Sequence, residues 1–249
     1  MALLSTRKRV FNCLKYTAAL ILLLMLGSTA YYANEIRLAR QQTPDLVAKA
    51  QQSYFKAVSI AKLSPEQLKL LLAIEDPAFY NHRGVDLSTP GAGMTTLTQG
   101  LVKLLYYPAG FKQGIAKIRQ TLIAQYALDA LVSKDEQLDL FLNLAYFGHE
   151  QGHEVKGFAQ AARVYFHKEL TVLTEEEFIG LVAMLIGPNK FKPGAPAHTE
   201  RVERIQAYLS GSYQAASVLD VEYSGLSQGK YSEELLMSFL RLITHSKPD

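Results

Sequence analysis

The sequence predicts an all-α domain behind a single N-terminal transmembrane helix, and three observations point there. An apolar run from Tyr16 to Ala33 follows the basic residues Arg7, Lys8, Arg9 and Lys15. Helix-start signals of the form Ser/Thr-x-x-Glu/Gln recur at Ser64 with Gln67, Ser133 with Glu136 and Thr174 with Glu177. Apolar residues repeat at helical spacing, as in Leu138, Phe141, Leu142, Ala145 and Tyr146, whereas strand-like alternation is scarce. With 249 residues, 49% of them hydrophobic, the chain suits one globular domain with a real core and is too short for two large ones.

From the N-terminus, residues 1–15 read as a basic cytoplasmic tail and 16–33 as the anchor. Roughly 18 residues at ~1.5 Å each just cross a hydrocarbon core about 30 Å thick. The basic flank stays inside, so the remainder is exported. A cleavable signal peptide competes with this reading, because Ser28-Thr29-Ala30 resembles a small-residue cleavage site. The length of the run, and Tyr31 and Tyr32 as interfacial residues, favour an uncleaved anchor. The single cysteine, Cys13, precedes the run and allows no intramolecular disulfide. A net charge of +3 gives no case for nucleic acid. Residues 34–62, mixed and polar, read as a stalk or connecting helix.

The next helix starts cleanly, with Ser64 as cap and Pro65 at its first position, and presents Leu68, Leu71, Leu72 and Ala73 as a buried face. Pro77 disfavours its continuation, which puts Glu75 and Asp76 at its C-terminal end. There the helix dipole disfavours an anion and raises a carboxyl pKa, a useful setting for a proton-transfer group. Two acids before a proline are equally an ordinary solvated turn, and spacing alone does not choose between these readings.

The run E-D-x-x-F-x-x-H-x-G-x-D, filled by Glu75, Asp76, Phe79, His82, Gly84 and Asp86, resembles the first signature of the family 51 peptidoglycan glycosyltransferases. Gly93 to Lys103 resembles that family's G-G-S-T-I-T-Q-Q-L-x-K, with Met94 and Gly100 in place of a glycine and a glutamine, and Leu104 where an asparagine is expected. The connection from Asp86 to Gly93 is shorter than the family's, so part of the donor-side wall is expected to be missing. Counting back from Ser133-Lys134-Asp135-Glu136, the R-K-x-x-E signature falls on Lys117 to Thr121. Thr121 takes the place of its glutamate, and no acid occurs from Leu87 to Leu128. Phe141-Leu142-Asn143, Tyr146-Phe147-Gly148 and Gly157 to Lys168 resemble the fourth signature. Leu173 through Arg201 and Arg204 resembles the closing helices, read as packing rather than chemistry.

This resemblance covers roughly residues 63–210 and implies a lysozyme-like glycosyltransferase domain that polymerises lipid-linked disaccharide (lipid II) into glycan strands. It implies Glu75 as general base on the acceptor hydroxyl, and Lys103 and Lys117 as phosphate contacts. Asp76, His82, Thr96, Gln99, Arg119 and Asn143 are the other substrate-binding positions. It implies a divalent cation, magnesium or manganese, with the substrate pyrophosphate, and no organic cofactor. The expected partners are the lipid-linked precursor, the glycan strand, the membrane and other cell-wall synthesis proteins. The expected location is the bacterial cytoplasmic membrane, single-pass, with the domain on the periplasmic side. With the second acid lost, weakened catalysis is expected; the alternative is a non-catalytic relative that binds precursor, glycan or a synthesis partner. A remote alternative is a zinc peptidase, because His149-Glu150-Gln151-Gly152-His153 fits H-E-x-x-H. A helix would put both imidazoles on one face, but Gly152 weakens a helix there and the downstream metzincin histidine is missing. Residues 211–249 form an extension in which Ser232 to Thr244 reads as an amphipathic helix, with Leu235, Leu236, Phe239, Leu242 and Ile243 on its apolar side.

Overall fold

The structure, a computed structural model, describes residues 2–53, 58–112, 114–225 and 231–244. Among these, α1 (Ala2–Gln52) is the one helix long and apolar enough to cross a membrane. Its side chains from Leu20 to Leu26 are exposed. Where the apolar run ends the helix does not: over residues 34–52 it continues into the domain and buries Ala39, Thr43, Val47 and Ala50. These residues recur every three to four positions and so share one face. Part of the expected stalk is therefore core-forming helix, and the apolar run and the domain share one continuous element.

The helix starts follow local chemistry. In α2 (Pro65–Glu75), Ser64 Oγ accepts from the Gln67 N–H and Gln67 Oε1 accepts from the Ser64 N–H, both at 3.1 Å. The helix ends at Glu75, with Asp76 as its C-cap. After α3 (Leu97–Tyr106), α4 (Ala116–Ile123) passes through a π-helical turn, Ala124–Leu128, into the short α5 (Asp129–Leu131). Ser133 caps α6 (Lys134–Leu144) through the Glu136 N–H at 3.3 Å. The expected reciprocal bond from Glu136 is absent, because its carboxylate instead accepts from Gln51 Nε2 at 3.0 Å and ties α6 to α1. In α8 (Glu175–Ala183) the box between Thr174 and Glu177 is complete.

The helical architecture has one exception, a hairpin of β1 (Tyr146–Glu150) and β2 (His153–Lys156). Glu150 pairs with His153 across Gln151 and Gly152, both at positive φ, as a two-residue hairpin turn requires. The helix that the remote zinc-peptidase alternative requires is therefore not formed. His149 Nδ1 lies 2.7 Å from the Tyr146 hydroxyl, and Glu150 pairs with Lys192.

The core centres on Phe158, the first residue of α7 (Phe158–Phe166), with the rings of Phe147, Phe141 and Phe178 at 5.0, 6.1 and 6.2 Å. Burying each such ring contributes about 1.5–3 kcal/mol. This cluster holds α6, the hairpin, α7 and α8 together. Behind α9 (Pro196–Leu209), the chain folds back across the domain before α10 (Tyr231–Thr244). Only part of the expected apolar side of α10 faces inward: Leu240 is buried and Leu236 and Ile243 partly so, while Leu235, Phe239 and Leu242 are exposed. The register is set by Arg241, which donates twice to the Leu87 carbonyl, at 3.1 and 2.6 Å.

Gly84, at φ +78°, runs so close to the π-helical turn that a Cβ would sit 2.6 Å from the Ala124 carbonyl oxygen. Gly84→Ala adds left-handed strain and a backbone clash, so it is expected to destabilise the domain by about 2–4 kcal/mol. The check is the midpoint of thermal or denaturant unfolding.

Candidate active site

Glu75 opens into a cleft of about 510 Å³ between the end of α2, the start of α3, the hairpin and α9. It is the only carboxylate among the lining residues, which also include Thr95, Thr96, Lys103 and Arg201. Burial pushes the Glu75 carboxyl up to about 7, with the Asp76 charge adding and the Arg201 charge opposing. The direction agrees with the sequence argument, but the dominant cause is desolvation rather than the helix terminus.

Asp76 does not face this cleft; it is 1% exposed. One carboxylate oxygen accepts the Leu97 N–H at 2.9 Å, at the first residue of α3, where the helix dipole favours an anion. The other lies 2.9 Å from His82 Nε2. Asp76 and His82, expected as substrate contacts, instead join the end of α2 to the start of α3. Thr96 and Gln99, expected as substrate-binding positions, form a capping box at the start of α3. Thr96 Oγ1 also donates to the Gly84 carbonyl at 2.7 Å. These bonds set Glu75 and Lys103 in one cleft. Burial lowers the pKa of Lys103, whose Nζ lies 5.3 Å from the Phe111 ring centroid.

The sequence model of the family described as Transglycosylase matches residues 41–213, which include every lining residue except Val221. The chain belongs to this family. Its mostly helical domain has the lysozyme-like peptidoglycan glycosyltransferase fold that its motifs resemble. Penicillin-binding protein 1B of Buchnera aphidicola is 36% identical over 143 residues, covering 52% of this chain and 19% of that protein. A Cupriavidus necator protein provisionally described as a transglycosylase is 31% identical over 229 residues, covering 87% of this chain and 93% of that protein. Penicillin-binding protein 1A of Escherichia coli is 28% identical over 162 residues, 60% of this chain and 18% of that protein. The chain thus spans about a fifth of the length of these penicillin-binding proteins and most of the Cupriavidus protein.

Of the basic and polar positions expected to touch substrate, the transglycosylase cleft takes in Lys103 and Thr96 and leaves out the rest. Lys117 lies behind the loop, where its Nζ donates to the Met94 carbonyl at 2.6 Å and to Thr95 Oγ1 at 2.9 Å. Burial, with Lys103 adding, pulls its pKa down to about 7. It therefore braces the 94–95 backbone of the cleft wall. Arg119 pairs with Glu35 of α1 and stacks on Tyr107 at 5.1 Å. Asn143 is occupied by the chain itself: Oδ1 accepts the Val58 N–H at 2.9 Å, and Nδ2 donates to the Val58 and Asp139 carbonyls at 2.7 and 2.6 Å. Gln99 is fully buried and donates to Thr121 Oγ1 at 2.8 Å. Thr121, at the position of the missing acid, is also fully buried and donates to the Lys117 carbonyl at 2.8 Å.

Two contributions to the cleft were not read from the sequence. Arg201, taken as packing, lines it with a buried guanidinium whose Nε has no partner. Val221 brings in the C-terminal extension. The three departures Met94, Gly100 and Leu104 all line the cleft, and a Cβ at Gly100 would meet nothing closer than Phe141 at 3.8 Å.

A carboxyl that folding keeps protonated up to about 7 has a signature in stability. The folded state holds this proton above the pH at which the unfolded chain releases it, so the wild type loses stability as pH rises from about 4.5 to about 7. Glu75→Gln is expected to unfold at a higher temperature than wild type at pH 8, with the gap closing below about pH 4.5. Paired thermal melts across this range provide the check.

Proposed function

We propose that this protein is a membrane-anchored peptidoglycan glycosyltransferase of weakened catalytic power, acting on lipid-linked disaccharide. The observation that carries the reading is a lone cleft carboxylate with a proton affinity near neutrality, held beside the cleft cations Lys103 and Arg201. Glu75 takes the proton of the acceptor sugar hydroxyl as its oxygen bonds to the donor's anomeric carbon. The bond from that carbon to the pyrophosphate oxygen breaks, and the electron pair leaves with the polyprenyl pyrophosphate. Lys103 and Arg201 offset the negative charge that accumulates there. No second acid is available in the cleft to assist, since position 121 is a buried threonine.

A divalent cation fits this donor set poorly. Magnesium and manganese bind through oxygen ligands, and the cleft offers one carboxylate flanked by cations. Any such ion would be carried by the substrate's pyrophosphate oxygens, and no step is assigned to it. The apolar run of α1 supports an uncleaved anchor with the domain on the exported face. A second reading, a non-catalytic binder of lipid-linked precursor or glycan, is favoured by Gly100 and Leu104 on the cleft wall, which stand where the resemblance expects the polar side chains of a glutamine and an asparagine.

The deciding assay uses the full chain with lipid-linked disaccharide, following polyprenyl pyrophosphate release and glycan length. The wild type is expected to turn over, with the rate rising with pH through about 7 as Glu75 ionises. Glu75→Gln is expected to lose about 10²–10⁴ of the rate while binding the lipid normally. Binding without product from the wild type, unchanged by Glu75→Gln, would establish the binder instead.

Thr121→Glu separates cleft from core. The new carboxylate would sit in a fully packed site against Gln99, so the variant is expected to melt at a lower temperature and gain no rate. A gain in rate would show that position 121 reaches the substrate.

A further inference from the structure

The family match ends at residue 213, yet the cleft does not. The segment after α9 folds back so that the Gly91 N–H donates to the Ser217 carbonyl at 2.9 Å and the Gly93 N–H to the Val218 carbonyl at 2.8 Å. These glycines belong to the shortened connection whose donor-side wall was expected to be missing. Both stand at positive φ and admit no side chain toward the segment: a Cβ at Gly93 would lie 2.7 Å from Val221 Cγ1, and one at Gly91 would lie 2.8 Å from Tyr223 Cε1. Asp220 holds the segment in shape, accepting from the Tyr213 hydroxyl, from the Ala216 and Ser224 N–H groups at 3.0 Å and from the Gly225 N–H at 3.3 Å.

Tyr223 connects this wall to the backbone beside Glu75 and to Arg201. Its hydroxyl donates at 3.2 Å to the Ile74 carbonyl, in the last turn of α2, where carbonyls lack helical partners. Its ring stacks on Tyr208 at 4.3 Å and lies 5.2 Å from the Arg201 guanidinium. The Val221 carbonyl accepts from the same guanidinium.

We propose that residues 213–225 form a wall of the transglycosylase cleft, in place of the shortened connection, and that Tyr223 is a positioning residue holding Arg201 within electrostatic reach of Glu75. The inference rests on the cleft being the working site, but its central claim concerns geometry and is testable without turnover. The charged and titratable groups around Glu75 are Asp76 at the end of α2, Lys103 from α3, Arg201 from α9 and Tyr223 from this segment. Arg201 lowers the Glu75 pKa and Asp76 raises it, so releasing the guanidinium moves the Glu75 titration upward.

The experiment is a carboxyl-carbon NMR titration of the full chain carrying labelled glutamate, with the Glu75 signal assigned by its loss in Glu75→Gln. Tyr223→Leu is expected to raise the Glu75 midpoint by about half a pH unit or more, and so to lower turnover about threefold on the acidic limb. Arg201→Met should move it in the same direction. Gly91→Ala, whose new methyl presses on the Tyr223 ring, is the second route to the same displacement should Tyr223→Leu not fold. A midpoint that moves in Arg201→Met but stays fixed in whichever of Tyr223→Leu and Gly91→Ala fold, whatever their melting temperatures, overturns the positioning role. A wild type without turnover in which these midpoints still shift would refute the proposed function and leave this inference standing.

Discussion

The buried Asp76 carboxylate is the interaction on which the cleft depends. It closes the end of α2, receives the first N–H of α3 and meets His82, so one side chain sets two helices at a fixed relative position. Glu75, the preceding residue, is thereby turned into the space above α3, on which Lys103 lies two turns further along. An anion at a helix N-terminus is stabilised both by the dipole and by the unpaired N–H, and removing such a group from a buried site leaves the donor unsatisfied. The paired acids of the sequence thus have separate duties: one is buried and joins two helices, the other lines the cleft.

The chemistry of the cleft follows from how charge is distributed around it. Glu75 is desolvated, and the cation that could restore its ordinary acidity, Arg201, is itself buried and desolvated. Burial lowers the pKa of both Lys103 and Lys117, and the Lys103 charge lowers that of Lys117 further. Gln99 and Thr121 form a neutral hydrogen bond in the core, and the Lys117 ammonium behind it is taken up by the Met94 carbonyl and Thr95 Oγ1.

The long α1 helix gives this cleft a fixed relation to the apolar run. Thr43 and Tyr106 meet through their hydroxyls, Arg40 donates to the Tyr126 carbonyl at 2.7 Å, and Glu35 pairs with Arg119. These contacts lie within a few turns of the end of that run. Arg119, expected at the substrate, thus contributes to how the domain is seated on α1. The exposed leucine run and the buried face at Ala39, Val47 and Ala50 share one helix, so the domain cannot swing freely about a stalk.

What the sequence determined by itself was whatever short-range chemistry decides. The capping boxes at Ser64 and Thr174, the stop at Pro77, the apolar run and the order of the family motifs all act over a few residues, and each is realised in the structure. Glu75 was legible because its motif is local. The roles of Asn143, Arg119 and Lys117 were not, because hydrogen-bonding groups of one type serve a ligand or the chain itself equally well, and only long-range packing chooses. The hairpin at 146–156 depended on two residues able to adopt positive φ, against a pattern that suited a helix. Arg201 and Tyr223 lie more than 120 residues beyond Glu75, and no spacing rule relates them. They share its cleft because the chain after α9 turns back onto the Gly91–Gly93 backbone, a pairing of distant segments that the tertiary structure alone decides.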